Sequence, residues 1–149
     1  MSALTFAVVL PALLVAHNVA DHWVQTSHQA ATKGQHSHAG RIACAMHVLS
    51  YTALTAATVL LLWAVLGLAV SPLGFVTGQA VSAVTHYWAD RRFTLAGLAA
   101  RLGKAQFYSL GSPRLDRDDN PSLGTGAYAL DQAWHWAWLF FAALLTAAV

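Results

Sequence analysis

Four long hydrophobic stretches, the third weaker than the others, leave this chain few ways to fold. They cover about residues 4–24, 42–68, 73–89 and 127–149. Each is close to the ~20 residues that a helix needs to cross ~30 Å of hydrocarbon. Each is continuous rather than alternating, which argues against strands. The composition explains why these runs cannot be hidden in a soluble core. The 149 residues are 57% hydrophobic and 9% charged, where an average soluble domain is roughly 25% charged. Mean hydropathy is +0.50. Such a chain cannot cover a water-facing globule, so a soluble enzyme, a disordered tail and a DNA-binding module are excluded. The expectation is a single all-α membrane domain over residues 1–149, a polytopic integral membrane protein built as an antiparallel four-transmembrane-helix bundle. No Lys or Arg precedes the first run, so it reads as a span rather than as a signal peptide.

The loops set an expected orientation. The turn at 67–72 is uncharged, whereas loop 28–41 carries Lys33 and Arg41. Loop 90–126 carries Arg91, Arg92, Arg101, Lys104, Arg114 and Arg117. All basic residues thus fall on one side, which the positive-inside rule makes cytoplasmic, with both termini extracytoplasmic. The net charge of +2 then reports orientation, and no nucleic-acid partner is expected. Within the third loop, Thr94–Gln106 reads as a short interfacial helix, with Leu95, Leu98, Ala99, Leu102 and Ala105 on its apolar face. Residues 111–126, with Pro113 and Pro121, read as a turn-rich loop. Gly74, Gly78 and Ser82 form a small-residue face suited either to close packing within the chain or to a homodimer.

Ionisable residues inside the helices carry the chemistry. Three apolar runs contain a His and an Asp four residues apart: His17/Asp21, His86/Asp90 and Asp131/His135. That spacing puts both side chains on one helix face. The first and third runs read His then Asp, and the antiparallel fourth reads Asp then His. The aspartates therefore form a shallow layer and the histidines a deeper one, with His47 of the second run at similar depth. Intramembrane charges cost about 2.5–3.5 kcal/mol each at the bilayer centre, so they persist when paired, facing a cavity or binding something. Imidazole with carboxylate suits Zn, Mn or Fe, and these seven residues are enough for one or two divalent ions. Each pair is also readable as a plain i,i+4 hydrogen bond, Asp131 as a helix N-cap, and Asp90 as an ion-pair partner of Arg91 and Arg92. Three pairs and His47 at matched depth favour a shared site. Asn18, His22, Gln25, Gln79 and Gln132 read as supporting or packing groups. His28, His36 and His38 read as solvated, and Trp134, Trp136 and Trp138 as interfacial anchors.

The single Cys44 excludes a disulfide framework, and the absence of glutamate excludes HExxH and Glu-based di-iron motifs. HNVADHWVQT with the later Lys33, the lone His47, HYWADRR and LDQAWHW together resemble the bacterial membrane proteins grouped as Domain of Unknown Function 3307. The resemblance covers nearly the whole chain. It marks His17, Asp21, Gln25, His47, His86, Asp90, Asp131, Gln132 and His135, implies the bacterial inner membrane, and implies no reaction. HYWADRR departs from the pattern in carrying arginine where a lysine is expected nearby.

Two function classes follow. The first is a metal-dependent hydrolase at the cytoplasmic leaflet, acting on a phospholipid or lipid-linked phosphate. Its ion would activate water, and Asp21, Asp90 or Asp131 would serve as ligand or general base. Arg91, Arg92, Arg101 and Lys104 would hold the phosphate beside Gln25 and Gln132. The second is a non-enzymatic metal-binding, ion- or proton-handling or scaffold membrane protein. The apolar outer halves of the helices count against conduction. A bis-His haem site is a third, disfavoured by the aspartates.

Overall fold

The computed structural model describes residues 2–112 and 125–149. All its regular structure is helical, and no strand occurs among the described residues. Helix α1 (Ala3–Val19) opens into a π-helical turn (Ala20–Val24), then come α2 (Ser27–Thr32), α3 (His38–Leu66), α4 (Pro72–Asp90), α5 (Phe93–Arg101), α6 (Ala105–Tyr108) and α7 (Gly126–Ala148). The expected turn-rich segment, with Arg114 and Arg117, falls almost wholly outside the described residues.

Local chemistry accounts for the boundaries. Ser2, Ser37, Ser71 and Thr125 each accept a backbone N–H from the first turn of α1, α3, α4 and α7, which satisfies donors that a helix start leaves free. Thr26 and Gln29 form a reciprocal capping box on α2. Gly67 ends α3 at φ 61°, a left-handed conformation that glycine adopts without Cβ strain. Pro72 at the start of α4 has no N–H that the helix needs.

Two expectations require correction, and one alternative reading falls away. Residues 28–41 are not simply a loop, because α2 and the first turn of α3 occupy them. The helix expected over 94–106 is two helices, interrupted by Gly103 at φ 69°. Asp131 does not cap α7: Thr125 does, and Asp131 lies inside the helix.

Among the described residues, two helical segments are long and apolar enough to cross a membrane, Ala3–Val24 and His38–Leu66. The four long helices close a ring in which α1 touches α3 and α7, and α4 touches α3 and α7. The small-residue face of α4 is used within the chain. A Cβ at Gly74 would crowd the Thr146 carbonyl oxygen, and one at Gly78 would overlap the Thr146 hydroxyl. The two ends of the ring differ. At one, Val9, Leu13, Val59, Leu68, Val70 and Leu139 pack as a dry core, and Ser2 N–H donates to the Ala147 carbonyl at 3.1 Å. At the other, Arg91 donates to the carbonyls of Lys33 (2.8 Å) and Gln35 (2.5 Å). Arg92 donates there to that of Ala30 (3.0 Å). Both basic connections therefore meet at the same end.

Candidate metal centre

The seven ionisable residues that helical spacing selected converge at the polar end. His17, His47, His86 and His135 are each at most 3% exposed, and so is Asp90. The side chain of Asp21 is 10% exposed and that of Asp131 29%. The four histidines and Asp90 thus lie deep, with Asp21 shallower and Asp131 nearest the opening.

Four of these groups meet at one point. Nε2 of His47 lies 3.0 Å from Nε2 of His86, 3.4 Å from Oδ1 of Asp21 and 3.3 Å from Oδ2 of Asp90. His86 Nε2 lies 3.6 Å from the same Asp21 oxygen and 3.2 Å from the same Asp90 oxygen. Metal–ligand bonds of about 2.0–2.1 Å in a tetrahedron separate neighbouring ligand atoms by about 3.3–3.4 Å. The five separations bracket that edge length. Both carboxylate oxygens are buried and accept no aligned hydrogen bond among the described residues, although burying an acceptor without a donor is costly. Nδ1 of His47 and Nδ1 of His86 also lack partners there. Overlapping groups extend the cluster: His17, Asp21 and His86 offer ligand atoms within 4.8 Å of one another, and so do Asp90, Asp131 and His135.

Two features that place these atoms were not visible in the sequence. The first is the π-helical turn, closed by Gln25 N–H donating to the Ala20 carbonyl at 2.8 Å. It re-phases the end of α1 at Asp21, and such single-turn widenings recur at functional sites. The second is Lys33, which sequence reading treated as a loop charge. It is 7% exposed, and its Nζ donates to Oδ1 of Asp90 at 2.8 Å. The ion pair of Asp90 is therefore with Lys33, not with its chain neighbours Arg91 and Arg92. Only the accompanying Lys33 in the family-like motif hinted at this role.

Behind the centre, the polar column continues between α3 and α4. The Tyr51 ring stacks on His86 with centroids 3.9 Å apart, and its hydroxyl is 2.6 Å from that of Ser82. One turn further, Thr55 donates to Gln79 at 2.9 Å. Gln79 thus supports this column rather than the centre itself. Val59, fully buried, follows in the same α3 register.

In front of the centre lies a cavity of about 390 Å³, lined among others by Asp21, Asp90, Asp131, Gln25, Gln132, Lys33, Arg92, Tyr108 and Tyr128. Burial and the nearby Asp131 push the Tyr108 phenol above its usual pKa, so it is a protonated hydrogen-bond donor at neutral pH, as an ordinary tyrosine is. Other anticipated residues point elsewhere. Arg91 is spent on backbone carbonyls, and Arg101 and Lys104 are exposed away from the cavity. Asn18 turns back onto the Leu14 carbonyl. His36 stacks on Phe93 at 3.9 Å, and Trp134 donates to the Thr85 carbonyl at 3.1 Å while stacking on Trp88.

Fold and site together define an all-α protein with membrane-length apolar helices and a buried His/Asp cluster whose geometry can hold a metal ion. Residues 9–149 match the model of the family described as Protein of unknown function (DUF3307), and the chain belongs to that family. No curated protein and no solved structure matches it.

Proposed function

We propose that this is a four-pass protein of the bacterial cytoplasmic membrane that binds a divalent ion, Zn, Mn or Fe, and uses it to hydrolyse a phospholipid or lipid-linked phosphate at the cytoplasmic leaflet. The observation that carries the metal is the Asp21/His47/His86/Asp90 set, in which the two imidazole nitrogens lie 3.0 Å from each other and 3.2–3.6 Å from both carboxylate oxygens, spacings that suit tetrahedral coordination. Insertion is supported by the outward faces of the long helices, where Leu4, Val65 and Val84 are each about two-thirds exposed. Val15, Leu49, Leu61, Leu73 and Val76 are likewise about 60% exposed, and a soluble monomer rarely presents so much apolar surface to water. All four long helices then span, α4 and α7 tolerating their polar residues because these turn into the ring.

Hydrolysis is supported by what surrounds the ion position. A bound divalent ion lowers the pKa of water to about 7 and polarises a phosphoryl oxygen. The cavity beside it offers Lys33 and Arg92 as cations, with Gln25, Gln132, Tyr108 and Tyr128 as neutral hydrogen-bonding groups, a lining suited to a phosphate ester. Nε2 of Gln25 is buried without a partner among the described residues and is free to donate to such a group.

Elemental analysis of detergent-purified protein tests the reading. Wild type should carry Zn, Mn or Fe, and an Asp21→Ala, His86→Ala, His135→Ala variant should carry none while remaining helical and inserted. Equal metal content in both refutes the centre. Arg92→Ala should then raise KM for a lipid-phosphate substrate while metal content stays unchanged, and an unaltered KM refutes the phosphate contact.

The column formed by Tyr51, Ser82, Thr55 and Gln79 favours a second reading, proton or ion handling. It ends against Val59 and the dry core, which leaves that reading without a continuous path.

A further inference from the structure

The first donor set leaves three candidate ligands over, two of them buried. His17, Asp131 and His135 are not needed by a tetrahedral ion on Asp21, His47, His86 and Asp90, yet they are packed against it. Asp131 and His135 join the set through one shared residue, since Asp90, Asp131 and His135 offer ligand atoms within 4.8 Å of one another. Lys33 holds Oδ1 of Asp90 at 2.8 Å, while Oδ2 faces both His47 and His86.

His135 carries a preset ligand nitrogen. Its Nδ1 lies 2.8 Å from the Asp131 main-chain carbonyl. A carbonyl can only accept, so Nδ1 carries a proton, and in the neutral ring the lone pair falls on Nε2. This is the arrangement by which metal-ligating histidines are oriented. Nε2 is buried and has no partner among the described residues, and the ring is 3% exposed. The ring sits 4.3 Å from that of His86 and 4.9 Å from that of His17, centroid to centroid. A buried imidazole whose tautomer is set and whose acceptor nitrogen meets no donor is poised for a cation.

We propose that the protein holds a second divalent ion, for which Asp131, His135 and the shared Asp90 would be the ligands, on the cavity side of the centre. This rests on the first ion being bound as proposed above. Carboxylate-linked pairs of ions about 3.5–4 Å apart serve phosphoryl transfer by gripping the attacking and leaving oxygens together. The two positions differ in access. The first is enclosed by side chains at most 10% exposed, whereas Asp131 is 29% exposed and lines the cavity. The second ion is therefore the one that meets substrate, and it is the more readily exchanged.

The test is Mn(II) reconstitution of the full chain in detergent, read by elemental analysis and electron paramagnetic resonance. Wild type should bind two Mn per chain and give the broadened signal of a coupled pair. An Asp131→Asn, His135→Gln variant should bind one and give the signal of an isolated ion. Asp131→Asn alone, which keeps the side-chain volume, should weaken the second ion at least tenfold and leave the first unaltered. One Mn in wild type, unchanged in the variants, overturns the second ion and leaves the first standing. Two uncoupled Mn, or two retained in the double variant, also overturns it. No Mn in wild type overturns both ions together.

Discussion

The two ends of the same four helices solve opposite problems. At the dry end, Val9, Leu13, Val59, Leu139, Ala142 and Ala143 interlock, and Phe6 meets Phe140 edge to face at 5.4 Å. Nothing there requires a ligand. At the polar end, the same helices bring three carboxylates and four imidazoles into one cluster, joined by the Lys33 ammonium from the end of α2, beside a cavity of about 390 Å³. Several of its buried nitrogens and oxygens have no hydrogen-bond partner among the described residues. A protein tolerates such orphans where function needs them. The contrast shows that the polar end is not made polar by proximity to an interface alone, since hydration would be satisfied by exposed groups rather than by histidines at most 3% exposed.

Substitutions at each end should therefore separate stability from ligand binding. The largest effect is expected for His86→Ala. Losing an outer-shell partner typically costs 10–100-fold in metal affinity, and losing a donor should cost more than that, measured by equilibrium dialysis against Mn(II), with little change in helix content. Unaltered affinity would erase the distinction between the two ends.

Lys33→Met should follow, because it leaves Asp90 buried without its cation. Removing one partner of a buried pair costs about 3–5 kcal/mol. The loss should show in denaturant titration of the metal-free protein and shrink when Mn(II) is added, since the ion then balances the carboxylate. The same loss with and without the ion would mean that Asp90 faces no metal.

Leu139→Ala, at the dry end, should cost about 2–5 kcal/mol through the cavity it leaves while Mn(II) stoichiometry stays at the wild-type value. A fall in stoichiometry would show that the two ends are coupled. Gly78→Ala should be milder, about 1–3 kcal/mol of overpacking as the new methyl pushes Thr146 away from α4. An increase in stability there would mean that the α4–α7 seam is looser than its glycines imply.

Much of this was legible in the chain because it depends on local periods. Long continuous apolar runs predict helices, and i,i+4 spacing brings His17 to Asp21, His86 to Asp90 and Asp131 to His135. Antiparallel order then puts the histidines at one depth. These are consequences of 3.6 residues per turn and of chain direction, so no partner needs to be known. The all-α class and the meeting of the seven cluster residues followed from them, whereas the family was legible in the ordered motifs HNVADHWVQT, HYWADRR and LDQAWHW.

Other features have no local period to betray them. Lys33 and Asp90 are 57 residues apart along the chain, and their contact exists because α2 folds over the end of α4. Arg91 looked like a phosphate ligand beside Arg92, but folding turned it to the carbonyls of Lys33 and Gln35 and left Arg92 at the cavity. The π-helical turn that carries Asp21, where it meets α3, leaves no mark in residue type. The sequence by itself determined which residues share a helix face and how deep they sit, since both are set along one helix. Only the tertiary structure decided which faces meet and which polar atoms remain without partners, because those depend on contacts between helices far apart in the chain.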